Sequence, residues 1–322
     1  MLKSRLETIL LTGGLGFIGR KCIEYFSDKY KICVLSNNTQ KNMPSNILFY
    51  QGNVTNRSVY EKIFSENQID YVINLAAIST TRTQNESLEK MLLINGYAPN
   101  VLYSTILDNN VKIKTIILPS TVQVYQGTHD DIISCVEEEA IKACKIKNDY
   151  AYSKYLAEEN AKWYALKGLP IIITRLSNIF GENDVKDRLI PETIKNLKQG
   201  RQATLYVDEK NESRTSTINF LYIDDLIDCF QKIIKKMEDS PIIYDGKSNN
   251  IVFNVAGKKH YSVVEVIKKI YDFMNMDYNP IVRTIPIDND KLIDTQKAKE
   301  ILTFEGRTSL EFGLKRILEM EN

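Results

Sequence analysis

Three features of the sequence predict an α/β fold built on a doubly wound parallel sheet, with a smaller interleaved α/β lobe. The first is residues 8 to 19, Thr-Ile-Leu-Leu-Thr-Gly-Gly-Leu-Gly-Phe-Ile-Gly, where a short apolar run meets a glycine-spaced turn. The second is the alternation, from residue 8 to about 175, of short apolar runs with helical patterns, which is the signature of βαβ units. The third is the loosening of that alternation past residue 180, where helical stretches are separated by polar loops.

In chain order, Ile9 to Leu11 reads as a buried strand. Gly13, Gly16 and Gly19 follow at G-x-x-G-x-x-G spacing, and Arg20 to Phe26 continues as a helix. This strand, turn and helix form a cradle for a pyrophosphate. The first glycine permits the tight turn, the second lets backbone approach the phosphates, and the third lets helix pack on strand. The helix N-terminus adds free N–H donors and partial positive charge. Further strands are predicted at Lys31 to Leu35, Ile47 to Tyr50, Tyr71 to Leu75, Ile113 to Leu118 and Pro170 to Thr174, with a helix from Asp149 to Leu166 before the last. Beyond them, Gly181 to Asp187 reads as a polar loop and Asp208 to Ser216 as a charged, mobile excursion. Helical periodicity returns at Ile190 to Lys198, Ile223 to Met237, Ser262 to Asn275 and Ser309 to Met320. The expected division is a dinucleotide-binding domain of residues 1–178 with part of 217–258, and a substrate lobe of 179–216 and 259–322.

Composition narrows the function. The 322 residues carry 42 Lys and Arg against 41 Asp and Glu, a net charge of +1 that gives no nucleic-acid footprint. Cys22, Cys33, Cys135, Cys144 and Cys229 are scattered without a C-x-x-C pair, so neither disulfides nor a zinc site is expected and a reducing cytoplasm is the simplest setting. With only His129 and His260, both read as surface or packing residues, histidine triads and metal clusters have little to draw on. Lys3, Arg5 and Glu7 interrupt the N-terminus, and no apolar run approaches the roughly 18 residues that span a bilayer. A soluble cytoplasmic protein without membrane or nucleic-acid partners is expected.

Ligands of a doubly wound sheet sit outside the carboxyl ends of its strands. Thr121 ends the fifth strand, and Tyr150 and Lys154 lie four apart on the next helix, on one face. Bringing a phenol from a pKa near 10 toward 7 takes roughly 4 kcal/mol. A cation about 4 Å away at an effective dielectric near 20 supplies about that much. Tyr150 is therefore a candidate general base for a substrate hydroxyl as hydride leaves the same carbon, with Lys154 as the cation and Thr121 hydrogen-bonding the reacting oxygen. The plainer alternative makes Tyr150, Tyr152 and Tyr155 an aromatic helix face and Lys154 a solvated side chain.

The chain resembles the extended short-chain dehydrogenases/reductases, the group of nucleotide-sugar epimerases, dehydratases and reductases. Thr12 to Gly19 is similar to the family's glycine signature, Asn74-Leu75-Ala76-Ala77 to its fourth-strand motif, and Asn95 to its helix asparagine. Pro119 to Tyr125 resembles the Ser/Thr motif, Tyr150 to Lys154 the Tyr-x-x-x-Lys pair, and Arg175 to Gly181 the segment that reaches nicotinamide and substrate. Tyr222-Ile223-Asp224-Asp225, Phe253 to Gly257 and Tyr261-Ser262 resemble later markers. The resemblance implies a Rossmann domain and a homodimer paired through the catalytic helix and the one before it, with Trp163 and Tyr164 as core or dimer contacts. It also implies a cofactor site of Gly13, Gly16, Phe17, Ile18, Gly19, Ser36, Asn37, Asn53, Val54, Leu75, Ala76, Ala77, Asn95, Tyr150 and Lys154.

Departures from the family pattern shape the function. Where the 4,6-dehydratases carry an Asp-Glu pair, this chain has Val122 and Gln123, so dehydration is disfavoured. Ser36 stands where NAD users place an acidic residue and NADP users want an arginine, with Lys41 nearby; the assignment leans to NAD and leaves NADP open. Asn53 replaces an adenine-binding aspartate, and its amide oxygen can still accept. An expected arginine appears as Ile218, which leaves Arg214 as a substitute and Arg283, in the later loop, as the better partner for a substrate diphosphate. Asn178 and Thr121 complete the substrate candidates; Arg82, Lys186 and Arg188 either face substrate or are solvated. The implied activity is a nucleotide-sugar epimerase working through a transient 4-keto intermediate with NAD. The alternatives are a 4-keto reductase or 4-dehydrogenase with net NAD(P)(H) turnover, and a non-catalytic nucleotide-sensing protein.

Overall fold

The computed structural model describes residues 5–39, 44, 46–79, 86–128, 133–184, 187–288 and 290–320. Its strands are β1 (Thr8–Thr12), β2 (Lys31–Ser36), β3 (Ile47–Gln51), β4 (Tyr71–Asn74), β5 (Thr115–Thr121), β6 (Ser134–Cys135) and β7 (Ile171–Leu176). There follow β8 (Asn178–Phe180), β9 (Thr204–Asp208), β10 (Thr217–Tyr222), β11 (Val252–Val255), β12 (His260–Ser262), β13 (Ile281–Ile285) and β14 (Leu292–Ile293). The helices are α1 (Phe17–Phe26), α2 (Arg57–Glu66), α3 (Leu88–Met91), α4 (Ala98–Asp108), α5 (Asp149–Leu166), α6 (Leu189–Lys198), α7 (Ile223–Asp239), α8 (Val263–Phe273), α9 (Gln296–Leu302) and α10 (Leu310–Met320). A π-helical turn, Leu92–Tyr97, joins α3 to α4.

Seven strands form one parallel sheet in the order β3-β2-β1-β4-β5-β7-β11. The order reverses between β1 and β4, where a doubly wound sheet opens its binding crevice. Helices cover both faces: α1 and α7 pack together on one, and α2, α4 and α5 on the other. Ile9, Leu10 and Leu11 are accordingly all fully buried, as a parallel strand covered on both faces should be. The remaining strands make smaller sheets, β12-β10-β8, β13-β9 and β14-β6.

The turn after β1 explains its glycines. Gly13 has φ +66°, and a Cβ there would lie 2.8 Å from the Ala76 backbone after β4. Gly19 serves close packing, although its neighbour is the turn and not the strand: a Cβ would lie 2.5 Å from Gly14.

Three expectations are corrected. The fifth strand starts two residues later than Ile113 and, as expected, ends at Thr121, passing through Pro119 and Ser120. Its pairing with β4 ends at Ile117, so Pro119 removes no bond from that side, while β7 carries the strand to Thr121. Asp208 to Ser216, expected to be mobile, is a tight turn in which the Asp208 N–H donates to the Arg214 carbonyl at 2.9 Å and the two side chains pair at 2.9 Å. Arg283 lies on β13, opposite Tyr206 of β9, and not in a loop.

Candidate active site

Asn148 caps α5, its side chain accepting from the Ala151 N–H at 2.7 Å. The same amide donates to Gln123 and Gln126 at 3.1 and 3.0 Å, so the start of α5 is tied to the turn that follows Thr121. Thr121 accepts from the Gln123 N–H at 3.2 Å, and its hydroxyl favours the ionised form of Tyr150. Both line a cleft of about 420 Å³ with Ile18, Gln123, Asn178 and Arg188. The end of β5, the start of α5 and the first turn of α1 therefore meet in one space.

Electrostatics revise the spacing argument. Burial raises the Tyr150 pKa above that of an ordinary phenol, and the Arg188 charge and the Thr121 hydrogen bond oppose that rise. Lys154 lies one helical turn from Tyr150 on α5. It is buried, with its pKa lowered to about 8 by desolvation while Glu158 raises it. Arg188, left as solvated or substrate-facing, favours the phenolate from the cleft wall, where it pairs with Asp184 at 3.6 Å.

Glu158 and Arg175 were not singled out by function. Glu158, fully buried, accepts from Ser120 at 2.5 Å and pairs with Arg175 at 2.8 Å. Arg175 also donates to the Tyr125 hydroxyl at 3.0 Å, and Tyr125 donates to Asn254 at 2.7 Å. The available signal was the run 150, 154, 158, which puts Glu158 on the Tyr150 and Lys154 face of one helix.

The glycine turn suits a dinucleotide diphosphate. Gly16 is the N-cap of α1 and offers no capping side chain, and no acidic residue occupies the first turn. The N–H groups of Phe17, Ile18 and Gly19 consequently lack intrahelical partners at the positive end of the helix. Ser36 is buried, its hydroxyl accepting from the Asn38 N–H at 3.2 Å, with Asn37 exposed between them. Asn53 is exposed and its oxygen already accepts from the Thr55 N–H at 3.0 Å, next to buried Val54. The Leu75 and Ala76 N–H groups donate to the Thr12 carbonyl and hydroxyl at 3.1 and 3.2 Å, leaving Ala77 exposed at the crevice.

Asn95 is 1 % exposed and turned inward by the π-helical turn. It accepts from the Ile78 N–H at 2.8 Å and donates to the Ile78 carbonyl and the Ser153 hydroxyl, both at 2.9 Å. Its polar atoms clamp the loop after β4 to α5; it positions the site from behind. Asn178 donates to the Asn219 carbonyl at 3.2 Å from the cleft wall. Arg283 is exposed and outside that wall, and Arg214 is committed to Asp208, Ile287 and Asp288. His260 accepts from the Ile293 N–H at 3.0 Å, a packing role. Lys41, Arg82, His129 and Lys186 lie outside the described residues.

The profile of the NAD-dependent epimerase/dehydratase family matches residues 9–256, and the chain belongs to that family. It is thereby an enzyme of the extended short-chain dehydrogenase/reductase type. The dTDP-D-glucose 4,6-dehydratase of Dictyostelium discoideum is 30% identical over 284 residues, which cover 82% of this chain and 62% of that protein. A UDP-N-acetyl-alpha-D-glucosaminuronate decarboxylase of Bacillus cytotoxicus is 28% identical, with 96% of each chain covered. The chain thus spans under two thirds of the first relative and nearly all of the second. Among solved structures, UDP-glucose 4-epimerase of Thermotoga maritima with UDP-glucose superposes with a TM-score of 0.82 at 24% identity, covering 97% of each chain. The dTDP-glucose 4,6-dehydratase of Bacillus anthracis in complex with NAD gives a TM-score of 0.79 at 23% identity, covering 97% of this chain and 96% of that one.

Proposed function

We propose that the protein is a nucleotide-sugar epimerase acting through a transient 4-keto intermediate, with NAD held in the glycine cradle. The observation that carries this reading is the Thr121–Tyr150 hydroxyl pair in the cleft that Ile18, from the first turn of α1, also lines. Bound NAD supplies the hydride acceptor. Tyr150 takes the proton from a sugar hydroxyl, Thr121 donates a hydrogen bond to that oxygen, and the Arg188 charge favours the phenolate. Lys154, buried one turn behind Tyr150, adds a cation beneath the same site. Val122 and Gln123 carry no acidic group, which argues against water elimination at that position despite the dehydratases among the relatives; the acidic side chains of the cleft, Asp184 and Asp187, come from the segment after β8.

Arg283 shares a strand face with Ile285, which lines an adjoining cavity with Leu189 and Ile218, and we assign it the outer end of the substrate diphosphate. Sheet membership supports the division into a dinucleotide domain (1–178 with part of 217–258) and a substrate lobe (179–216 and 259–322). Exposed Leu93, Tyr97, Trp163 and Leu166, on or beside the helices implied in dimerisation, support a homodimer. No helix among the described residues is long and apolar enough to cross a membrane.

Tyr150→Phe should lower turnover about 10²–10⁴-fold with NAD binding retained; near-normal turnover would overturn the assignment. Identification of the dinucleotide released on denaturation separates the activities. Retained NAD(H) supports the epimerase, whereas dependence on added NADPH supports a reductase.

A further inference from the structure

We propose that Glu158 is a positioning residue of this site, holding Lys154 charged on one side and Ser120, next to Thr121, in place on the other. The inference rests on the catalytic reading of Thr121, Tyr150 and Lys154. Its foundation is geometric. Glu158 follows Lys154 by one helical turn, and both are buried. Its carboxylate accepts from Ser120 at 2.5 Å and from Arg175 at 2.8 Å, with the Arg175 Nε 3.2 Å from each oxygen. Arg175 is itself locked, its guanidinium 4.9 Å from the Tyr125 ring centroid and its Nη1 on the Tyr125 hydroxyl. Tyr125 is held by Asn254, whose N–H donates to Glu137 at 2.7 Å. The carboxylate therefore cannot swing away from Lys154 without breaking bonds to two other strands.

The groups facing this carboxylate are Ser120 from β5, Arg175 from β7 and Lys154 from α5, with Tyr155 beside it and Tyr125 and Glu137 behind Arg175. The π-helical turn packed on α5 contributes uncharged Asn95, bonded to Ser153. Glu158 lies one helical turn from Lys154, and its charge favours the protonated ammonium that burial opposes. Two roles thus converge on one buried side chain: it favours the charge on Lys154, and it fixes the strand end that presents Thr121.

The test reads Lys154 directly. The protein is labelled with ε-¹³C-lysine, Lys154→Arg assigns the resonance, and its titration is followed by NMR without substrate. The wild-type midpoint should fall near 8, and Glu158→Gln should move it down by about one pH unit or more. Should that variant not fold, Glu158→Gln with Arg175→Met removes both charges together, and the midpoint should still fall, by less than in the single variant because the loss of the Arg175 cation works the other way. A midpoint that stays put in a folded variant overturns the proposal, because a merely structural carboxylate would lower the melting temperature without moving Lys154. An unmoved midpoint with an inactive Tyr150→Phe variant sinks this inference alone. A shifted midpoint with a fully active Tyr150→Phe variant sinks the proposed function and leaves the linkage standing.

Discussion

Replacing Lys154 by methionine should stabilise the protein. The lysine is 4 % exposed and buries an ammonium, so its pKa falls from the ordinary 10.5 to about 8. At about 1.4 kcal/mol per pH unit, that gap means the folded state holds the charged lysine at a cost of about 3 kcal/mol near pH 7. Methionine has similar reach and no charge, so Lys154→Met should recover most of that amount, as when a buried charge gives way to a well-packed apolar side chain. The sign fixes the pH window. Because the folded pKa is depressed, the unfolded chain binds more protons between about 8 and 10.5, and wild-type stability rises with pH across that range. The advantage of the variant should therefore be full below pH 8 and shrink to about 1 kcal/mol by pH 9.5. Urea unfolding of both proteins at pH 7 and 9.5 measures it. A variant no more stable than wild type, or an advantage independent of pH, would refute the reasoning.

Gly13→Ala puts a side chain at φ +66° and 2.8 Å from the Ala76 backbone, so a loss of more than about 2 kcal/mol and of NAD binding is expected by thermal melting and calorimetry. Asn95→Ala leaves both Ile78 backbone groups without their side-chain partner; about 2 kcal/mol of stability should be lost, and turnover should fall as α5 loosens from the loop after β4. Cys144 should be the fast-reacting thiol toward an aromatic disulfide reagent. Cys22, Cys33, Cys135 and Cys229 should react only on unfolding, since burial pushes the Cys33 thiol up to about 12 and that of Cys135 to about 11.

Helix α5 was legible to the residue, because a capping asparagine and an uninterrupted helical pattern bound it at both ends. The glycine turn was legible because few residues besides glycine accept the backbone at position 13. The start of β5 was not: apolar Ile113 reads as strand, whereas the first paired residue is Thr115. Strand β13 was missed because its five residues are all exposed and lack the buried alternation that marks a strand. In the site, the meeting of Tyr150 and Thr121 in one cleft followed from order along the chain, but the Arg188 charge beside the phenol did not. Arg188 acts on Tyr150 across the cleft, and nothing in local spacing couples residues 38 positions apart. Glu158 and Arg175 were hidden for the same reason: their pairing is made by the sheet, through β7 lying against α5.

The π-helical turn at Leu92–Tyr97 makes that segment's length a fixed quantity. In an ordinary helix each residue advances the chain by about 100°. A π turn holds one residue more than an α turn and leaves the helix beyond it in phase, so deleting one residue there would restore ordinary winding with Val101, Leu102, Thr105 and Ile106 still facing the interior. What the deletion would remove is the bulge that turns Asn95 toward Ile78 and Ser153, the clamp between the loop after β4 and α5.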